Sequence, residues 1–256
     1  MNVATKPAIT VLVPARGAAT FLQAALGSLR MQAFSDWQAL LLAEGDAAAA
    51  VATRLAGADP RFQLADCDGE TGPAALARAA ERVDTGFLCV LDGDDVLEPA
   101  ALALLHAALA ANPTDGMAYS RHVLVDAGGR ALGPGPLCEL PYSPDALLLD
   151  FMTGPLRLFR TDAFRSAGGY DPADGDAADY ALCLRLSETT GVAHAPQPLY
   201  RRRIHPQAPE VARWAEAIEA RYRAFVAAVQ RRGLDARYDC ALEIDSWHIL
   251  QPLARR

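Results

Sequence analysis

Three carboxylates directly follow an apolar run in this chain of 256 residues. The run Gly-Phe-Leu-Cys-Val-Leu at residues 86–91 ends in Asp92, Asp94 and Asp95. Because side chains two apart on an extended chain point the same way, Asp92 and Asp94 can share a ligand while Asp95 faces elsewhere. Carboxylates this close need a cation to balance them, and oxygen ligands suit Mg²⁺ or Mn²⁺. The segment therefore predicts a site for a divalent metal and a diphosphate.

Two other interpretations of the acidic segment can be weighed. An acidic turn could cap the helix expected near Pro99, but three acids are more than a cap requires. A calcium-binding EF-hand loop would continue with an oxygen ligand and a glycine, where Val96 and Leu97 stand. The EF-hand is thereby excluded, and the metal site is the favoured interpretation.

Composition excludes several classes of protein. The chain is 52% hydrophobic and 21% charged, as is typical of a globular protein. Its net charge of -7 argues against nucleic-acid binding, which needs a basic surface. No apolar stretch reaches the roughly 18 residues of a membrane span, and the first residues show no secretory signal. The five cysteines are scattered without a Cys-x-x-Cys pair, so we expect neither a zinc site nor a disulfide framework. We expect a cytoplasmic location.

The elements that must position the acids alternate between strands and helices. The apolar patterns predict five strands and four helices in the first half, the strands over 8–14, 37–43, 61–65, 86–91 and 117–125, the helices over 20–31, 47–56, 73–83 and 100–111. Such alternation predicts an α/β fold with a mostly parallel sheet and helices on both faces. Ligands bind such sheets beyond the carboxyl ends of the strands, so the strand ends at 14–17, 44–46 and 92–95 should converge on one rim.

The second half has a different pattern. Residues 126–144 are rich in glycine and proline and predict a loop or flap. Strands are expected over 156–160 and 192–203, and short helices over 162–167, ended by Gly168-Gly169, and 180–188. A long amphipathic helix is predicted over 210–232, with packing on the core as its default role, and a further helix over 242–253.

An ordered set of motifs runs through most of the chain. They are Ile-Thr-Val-Leu-Val-Pro at 9–14, Phe21-Leu22 with Leu26, Ser28-Leu29 and Gln32, Leu91-Asp92-Gly93-Asp94-Asp95, Phe159-Arg160 with Gly168-Gly169-Tyr170-Asp171, Asp179-Tyr180 with Leu182 and Leu184-Arg185-Leu186, and Pro198-Leu199-Tyr200-Arg201 with His205. This set resembles the family 2 glycosyltransferases, which have the GT-A fold and use nucleotide-diphospho-sugars. The resemblance implies a GT-A domain over residues 1–205, with a nucleotide-sugar half to about residue 125 and an acceptor half beyond it. Residues 206–256 would form a helical extension.

The chain departs from the family's motifs at four places. Ala15-Arg16 stands where the family often has Tyr-Asn, and Ala43-Glu44-Gly45-Asp46 stands where it usually has Asp-Asp-Gly-Ser. The family's polar residues around the third helix are reduced to Arg78, and its acidic pair before the acceptor helix to Ala178-Asp179. An acid at the position of Glu44 accepts a hydrogen bond from uracil in many relatives, so a UDP-sugar is slightly favoured.

The resemblance also implies the reaction, an inverting transfer of a sugar to an acceptor hydroxyl in polysaccharide or other surface glycan assembly. Asp94 would contact the Mn²⁺ or Mg²⁺ ion, helped by Asp95, with Asp92 near the metal or the ribose. Asp179 would be the general base that accepts the acceptor's proton. Its structural alternative is a helix N-cap, and Asp174 and Asp176 are fallback candidates on the same loop.

The remaining candidates contact the nucleotide-sugar. They are Pro14, Arg16, Glu44, Arg78, Asp92, Gly93, Arg201 and Arg203. An arginine of the cluster at 201–203 could hold the diphosphate, or the cluster could be a solvent face in which Arg202 points away from its neighbours. His205 is a possible metal ligand. Arg16 and Glu44 could equally form a salt bridge with each other.

Alternatives of other classes stay open. A catalytically weak or inactive member of the fold would only bind sugars or a partner enzyme, and Ala178 favours this somewhat. A sugar nucleotidyltransferase would need a glycine-rich phosphate loop after the first strand, and residues 14–18 are a poor one. Expected partners are the donor and a glycan or lipid-linked acceptor. The long C-terminal helix could also support a homodimer or peripheral attachment to the inner face of a membrane.

Overall fold

Nine strands form one sheet in the part of the chain that this computed structural model describes, residues 6–16, 19–205, 214–242 and 249–252. In chain order they are β1 (Ile9–Arg16), β2 (Trp37–Glu44), β3 (Phe62–Leu64), β4 (Phe87–Val90), β5 (Val96–Leu97), β6 (Asp115–Val125), β7 (Ala131–Pro134), β8 (Arg157–Arg160) and β9 (Gly191–Arg203). The spatial order is β3-β2-β1-β4-β8-β6-β9-β5, with β7 paired to β6.

The described helices follow the predicted patterns closely, except that no helix was predicted over Pro144–Leu149. They are α1 (Ala19–Arg30), α2 (Asp46–Ala58), α3 (Gly72–Glu81), α4 (Ala101–Ala111), α5 (Pro144–Leu149), α6 (Thr161–Ser166), α7 (Ala178–Ser187) and α8 (Trp214–Arg231). The acidic loop before α7 is a 3₁₀ helix, Pro172–Ala177. None of the helices in the described ranges is both long and apolar enough to cross a lipid bilayer.

The predicted, mostly parallel sheet covered on both faces is confirmed. Strands β3, β2, β1 and β4 are mutually parallel, as are β6 and β9, while β8, β5 and β7 join in antiparallel pairs. The apolar side chains of β1 pack into the hydrophobic cores on both faces of the sheet. Val11 and Val13 pack with α1, α2 and α4, whereas Leu12 lies in the cluster shared with α3, α7 and α8.

The carboxyl ends of the parallel strands meet at one rim, as predicted. Strand β1 pairs with β2 up to Arg16 and Glu44, and the backbone N–H of Gly93 donates to Pro14 O at 3.0 Å. A Cβ atom at position 93 would lie 2.9 Å from that oxygen, so only glycine permits this close approach. The chain after β4 is thereby held against the end of β1.

Two parts of the chain differ from their predicted structure. Within the predicted loop at 126–144, Asp126 and Gly129 form a tight turn that folds β7 back onto β6. The predicted helix over 242–253 is wrong where it can be checked, because β11 (Ile249–Pro252) pairs antiparallel with β10 (Tyr238–Ala241). An apolar run this short fits a strand or a helix equally well, and its proline opposes a helix. Residues 243–248 lie outside the described part.

Helix α8 packs on the core, the default role predicted for it. Ala220, Ala224, Phe225, Ala228 and Val229 are buried in the same hydrophobic cluster as α3, α5 and α7. They form two rows at a spacing of four residues, 220/224/228 and 225/229, and these rows are adjacent on one face of the helix. The predicted start of this helix, residues 210–213, lies outside the described part.

Candidate active site

Asp94 lies on the turn that follows β4. Its Oδ2 atom is 2.8 Å from Nε2 of His205, whose ring is buried and lies against the ring of Phe21 at a centroid distance of 5.2 Å. Asp92, on the same turn, is exposed. Two of the groups predicted for metal contact, Asp94 and the possible ligand His205, are therefore in direct contact although 111 positions separate them.

Asp95 has a different environment from the other two acids. It is only 4% exposed, and its carboxylate accepts hydrogen bonds from the Tyr200 hydroxyl and the Arg203 backbone N–H, both at 2.6 Å. Burial, and then the neighbouring carboxylates of Asp92 and Asp94, raise the pKa of Asp95 to about 8. Asp95 thus connects this turn to β9 through protein donors on both oxygens. Its assistance to a metal stays a prediction.

Strand alternation, the cause expected from the sequence, does not explain why the surroundings of Asp95 differ from those of Asp92 and Asp94. The backbone N–H of Asp95 donates to Asp92 O at 3.0 Å, so residues 92–95 form a turn rather than an extended strand. Within this turn Asp95 is buried against β9, whereas Asp92 is exposed and Asp94 is half-buried beside His205. We name Glu44, Asp92, Asp94 and Asp95 together the acidic rim.

The donor set of the acidic rim can be tested against a divalent cation. No group of three or more His, Cys, Asp or Glu side chains suited to a metal occurs among residues 6–16, 19–205, 214–242 and 249–252. Asp94 and His205 do offer an oxygen and a nitrogen within 2.8 Å of each other. Mg²⁺ sites of phosphate-handling proteins commonly use one or two carboxylates, the ligand that Asp94 supplies, and complete the shell with phosphate oxygens and water. The pair fits an ion of that kind.

Two residues predicted to contact the nucleotide, Glu44 and Arg78, are bound by other protein groups. Glu44 Oε1 accepts a hydrogen bond of 2.6 Å from the Gly72 N–H at the start of α3. Arg78 forms an ion pair of 2.7 Å with Asp68 on the loop after β3. The side chain of Arg16 lies outside the described part, so its nucleotide contact and its salt bridge with Glu44 both stay untested.

The arginines at the end of β9 point to different surroundings. Arg201 is exposed and forms an ion pair of 2.5 Å with Glu98. Arg203 is buried, donates to the backbone oxygens of Asp94, Asp126 and Ala127 at 2.8–3.1 Å, and stacks over Phe21. These bonds fix the turn after β4 in place. A diphosphate contact by Arg201 or Arg203 stays a prediction.

Arg202, the middle arginine, lies on another side of the strand. Its charge lowers the pKa of His122 and of Arg221, residues that neither Arg201 nor Arg203 affects in this way. Burial is the larger cause of both shifts. The alternation along β9 therefore orients Arg202 toward β6 and α8.

The candidate base Asp179 lies in the first turn of α7. The N-cap of that helix is Ala177, so the structural alternative of Asp179 as N-cap is excluded. Its side chain is 42% exposed, with Oδ1 accepting from the Tyr170 hydroxyl at 2.9 Å and Oδ2 lying 2.5 Å from Nη2 of Arg157. Of the fallback candidates, Asp174 pairs with Arg185 at 3.0 Å and Asp176 is exposed.

Sequence reasoning missed Arg157, the partner of Asp179. Its side chain is 3% exposed at the start of β8, and Nη1 donates to Gly154 O. Burial, the largest single influence, lowers the pKa of Arg157, but the Asp179 carboxylate, together with Cys183 and Tyr170, more than offsets it, so the pKa is raised above its usual range. The signal in the sequence is an arginine inside the apolar run Leu156-Arg157-Leu158-Phe159, because a buried cation requires a buried or half-buried anion.

His122 on β6 is a second residue that the motifs did not reveal. It is 4% exposed, and neither ring nitrogen has a hydrogen-bond partner among the described residues. Gly135 lies so close that a Cβ atom there would be 1.9 Å from Nε2. Burial, and then the charges of Arg202 and Arg157, lower the pKa of His122 to about 4. We name His122 and Arg157, with the Asp179 that Arg157 binds, the β6–β8 cluster.

The sheet brings the acidic rim and the β6–β8 cluster to the same end. Strand β8 lies between β4 and β6 and is antiparallel to both, with Leu158 opposite Cys89. Arg157 therefore lies near the carboxyl end of β4, two residues short of Asp92 in register. A cleft at this end would have the acids predicted to bind metal on one side and an oriented carboxylate on the other.

Comparisons with known proteins agree with this architecture. The sequence model of glycosyl transferase family 2 matches residues 10–167. The O-antigen biosynthesis protein RfbC of Myxococcus xanthus is 30% identical over 206 residues, which are 77% of this chain and 16% of RfbC. The chain thus spans about one sixth of the length of that relative.

Solved structures with the same fold include nucleotide and metal complexes. S. aureus TarS in complex with UDP matches with a TM-score of 0.66 at 15% identity, over 86% of this chain and 65% of that chain. A mannosyltransferase from Pyrobaculum calidifontis in complex with GDP-Man and Mn²⁺ matches with a TM-score of 0.62 at 16% identity, over 91% of this chain and 66% of that chain. The expected GT-A fold is confirmed by these likenesses.

Proposed function

Because this chain belongs to glycosyl transferase family 2, we propose that it moves a sugar from a nucleotide-diphospho-sugar to an acceptor hydroxyl, with inversion at the anomeric carbon. One observation supports this most directly. At the carboxyl end of β4, Asp94 on the following turn pairs with His205 after β9, and Arg157 of the neighbouring strand β8 holds the half-exposed Asp179 carboxylate of α7. An inverting displacement needs a stabilised leaving diphosphate and a base on the acceptor side, and the two groups match those needs.

The donor side would work through charge. Asp94 and His205 would hold a divalent ion, which when bound supplies positive charge to the leaving diphosphate. Arg203 and Tyr200 keep the turn that bears Asp94 in place through Asp95 and the Asp94 carbonyl. Their role is to fix the metal-binding carboxylate before substrate arrives, so that little reorganisation is needed during the reaction.

The acceptor side would work through proton transfer. Asp179 Oδ1 and Oδ2 each accept one protein hydrogen bond or ion pair, and the side chain remains 42% exposed. A carboxylate oxygen has two lone pairs, so a further hydrogen bond from an acceptor hydroxyl is available. As that hydroxyl attacks the anomeric carbon, Asp179 would take its proton, and the bond from that carbon to the diphosphate oxygen would break.

The donor and acceptor classes are proposed from the comparisons and from Glu44. Solved neighbours bind UDP or GDP-Man, and Glu44 at the acidic rim is the residue that favours uridine. The relative RfbC is named for O-antigen biosynthesis, which supports a surface polysaccharide or lipid-linked glycan as the acceptor. Peripheral membrane attachment, a homodimer and a cytoplasmic location stay predictions.

A donor screen tests this function. The full chain is incubated with UDP-glucose, UDP-N-acetylglucosamine and GDP-mannose, with and without Mn²⁺, and products are identified by mass. We expect metal-dependent release of UDP or GDP and a mass increase on an oligosaccharide acceptor. Metal-dependent nucleotide binding in calorimetry without turnover of any donor would instead favour the non-catalytic alternative, which Ala178 supports.

A further inference from the structure

We propose that Arg157, with Tyr170 as a second donor, is the positioning residue for the Asp179 carboxylate. The inference rests on the proposed function, because it assigns a role within the acceptor side of that reaction. Neither residue belongs to the acidic rim, and Arg157 stands in none of the motifs that carry the family resemblance.

The contacts of the carboxylate determine its orientation. Arg157 Nη2 lies 2.5 Å from Oδ2, and the Tyr170 hydroxyl donates to Oδ1 at 2.9 Å. Two donors on two different oxygens fix the plane of the carboxylate as well as its position. One donor alone would leave the group free to rotate about its last torsion, which is broad for Asp.

The two donors are themselves held firmly. Arg157 begins β8, and its second terminal nitrogen donates to Gly154 O. Tyr170 is buried and follows Gly168-Gly169, both with positive φ, where α6 ends. The pKa of Tyr170 is raised well above its usual range, by burial and then by Asp179, so the hydroxyl remains a donor at neutral pH. Both anchors therefore come from backbone that does not belong to α7.

A purely structural ion pair is the competing explanation, and exposure argues against it. An ion pair that only connects β8 to α7 gains most when both partners are enclosed, and apolar residues often serve as well. Here the cation is 3% exposed and the carboxylate 42% exposed. A buried cation that orients a half-exposed carboxylate is the arrangement expected where the carboxylate has a task outside the core. Ala178 supplies no neighbouring acid to share that task.

The test compares Arg157→Ala, Arg157→Lys and a control in the same strand. Arg160→Ala removes an arginine that also binds backbone oxygens, those of Asp115 and Leu109, but does not contact Asp179. The assay measures release of UDP or GDP from an equimolar mixture of UDP-glucose, UDP-N-acetylglucosamine and GDP-mannose, with water as the acceptor. For Arg157→Ala we expect kcat to fall about 100-fold with the donor KM unchanged, since a small displacement of the base costs about that much.

Rescue distinguishes positioning from folding. Arg157→Lys keeps one charged donor, so its kcat should be about tenfold higher than that of Arg157→Ala. Added guanidinium chloride at millimolar concentration should partly restore the kcat of Arg157→Ala. Arg160→Ala should stay within about twofold of the wild type. Tyr170→Phe leaves one donor on Asp179, so its kcat should fall about tenfold. This variant replaces Arg157→Ala in the test if Arg157→Ala unfolds below the assay temperature.

Separate outcomes would overturn separate claims. If Asp179→Asn is inactive while Arg157→Ala, Arg157→Lys and Tyr170→Phe all turn over like Arg160→Ala, the positioning role is wrong and the proposed function stands. If Asp179→Asn retains full activity, the base assignment fails and the positioning role fails with it. Loss of activity in Arg157→Ala and Arg160→Ala alike, without rescue by guanidinium, would mean a structural role only.

Discussion

The acidic rim and the β6–β8 cluster place charged groups at the same end of the sheet, by different means. On the rim, Glu44 is the last residue of β2 and Asp94 lies on the turn after β4, and both are half-exposed. In the cluster, His122 and Arg157 lie within strands and are almost completely buried. Strand ends can carry charge at little cost, whereas a buried strand position can do so only if a distant partner compensates.

This difference predicts where a single substitution should matter most. A rim carboxylate acts when the substrate and its ion are bound, so its loss should appear in nucleotide binding. A cluster residue is part of a preformed arrangement, so its loss should appear in kcat or in stability while donor binding is retained.

The largest effect is expected for Asp179→Asn. The amide keeps the shape of the carboxylate but cannot accept a proton, and kcat for transfer should fall about 10³-fold. UDP binding in the presence of Mn²⁺, measured by calorimetry, should be unchanged. Asp174→Asn is the matched control, because Asp174 is bound to Arg185 on the same helix and loop. Equal losses in both variants would contradict the assignment and would blur the distinction between cluster and rim.

The next effect is on the rim, with Asp94→Ala. The change removes the carboxylate that faces His205, and Mn²⁺-dependent UDP affinity should fall about 100-fold, while binding without metal stays as it was. Asp84→Ala is the control, an exposed acid paired with Lys6 at 2.5 Å and remote from β4's carboxyl end. Unchanged UDP affinity of Asp94→Ala with Mn²⁺ present would remove Asp94 from the metal site.

The sequence predicts the rim well because its signals are local. A strand of apolar residues followed by Asp92, Asp94 and Asp95 indicates a strand end with acids, and parallel topology brings the end of β1 beside it. The pattern could not predict which of the three acids is buried and bound by protein groups. Asp95 is bound by Tyr200 and Arg203, more than 100 positions away, and such contacts have no local signature.

The cluster was largely unpredicted for the same physical reason. Arg157 forms an ion pair with Asp179, which Tyr170 also binds. His122 packs closely against Gly135 and Gly154. In each case the partners lie on different elements. The helix predicted over 242–253 failed for a related reason, because strand pairing with Tyr238–Ala241 decided the structure of a short run. Local patterns predict elements; long-range partners decide what buried polar residues do.

The smallest predicted effect concerns stability and tests the burial of His122. Its pKa is about 4 in the folded chain against an ordinary 6.5, so the unfolded chain takes up a proton as pH falls below about 6.5 while the folded chain does not. The free energy of unfolding should therefore drop by about 2 kcal/mol between pH 7 and pH 5 on account of this residue. Above pH 7 the histidine should contribute no pH dependence.

Urea unfolding of the wild type and His122→Leu at both pH values measures this contribution, because leucine is similar in size and does not titrate. The variant should lose about 2 kcal/mol less than the wild type between pH 7 and pH 5. His106→Leu is the control, since His106 is half-buried between the rings of Phe34 and Phe87 and lies away from the cluster. If His122→Leu and the wild type lose stability equally on acidification, His122 is protonated in place, and the cluster tolerates a second cation beside Arg157. The contrast between the accessible acids of the rim, Glu44, Asp92 and Asp94, and a cluster that must balance every charge would then no longer hold.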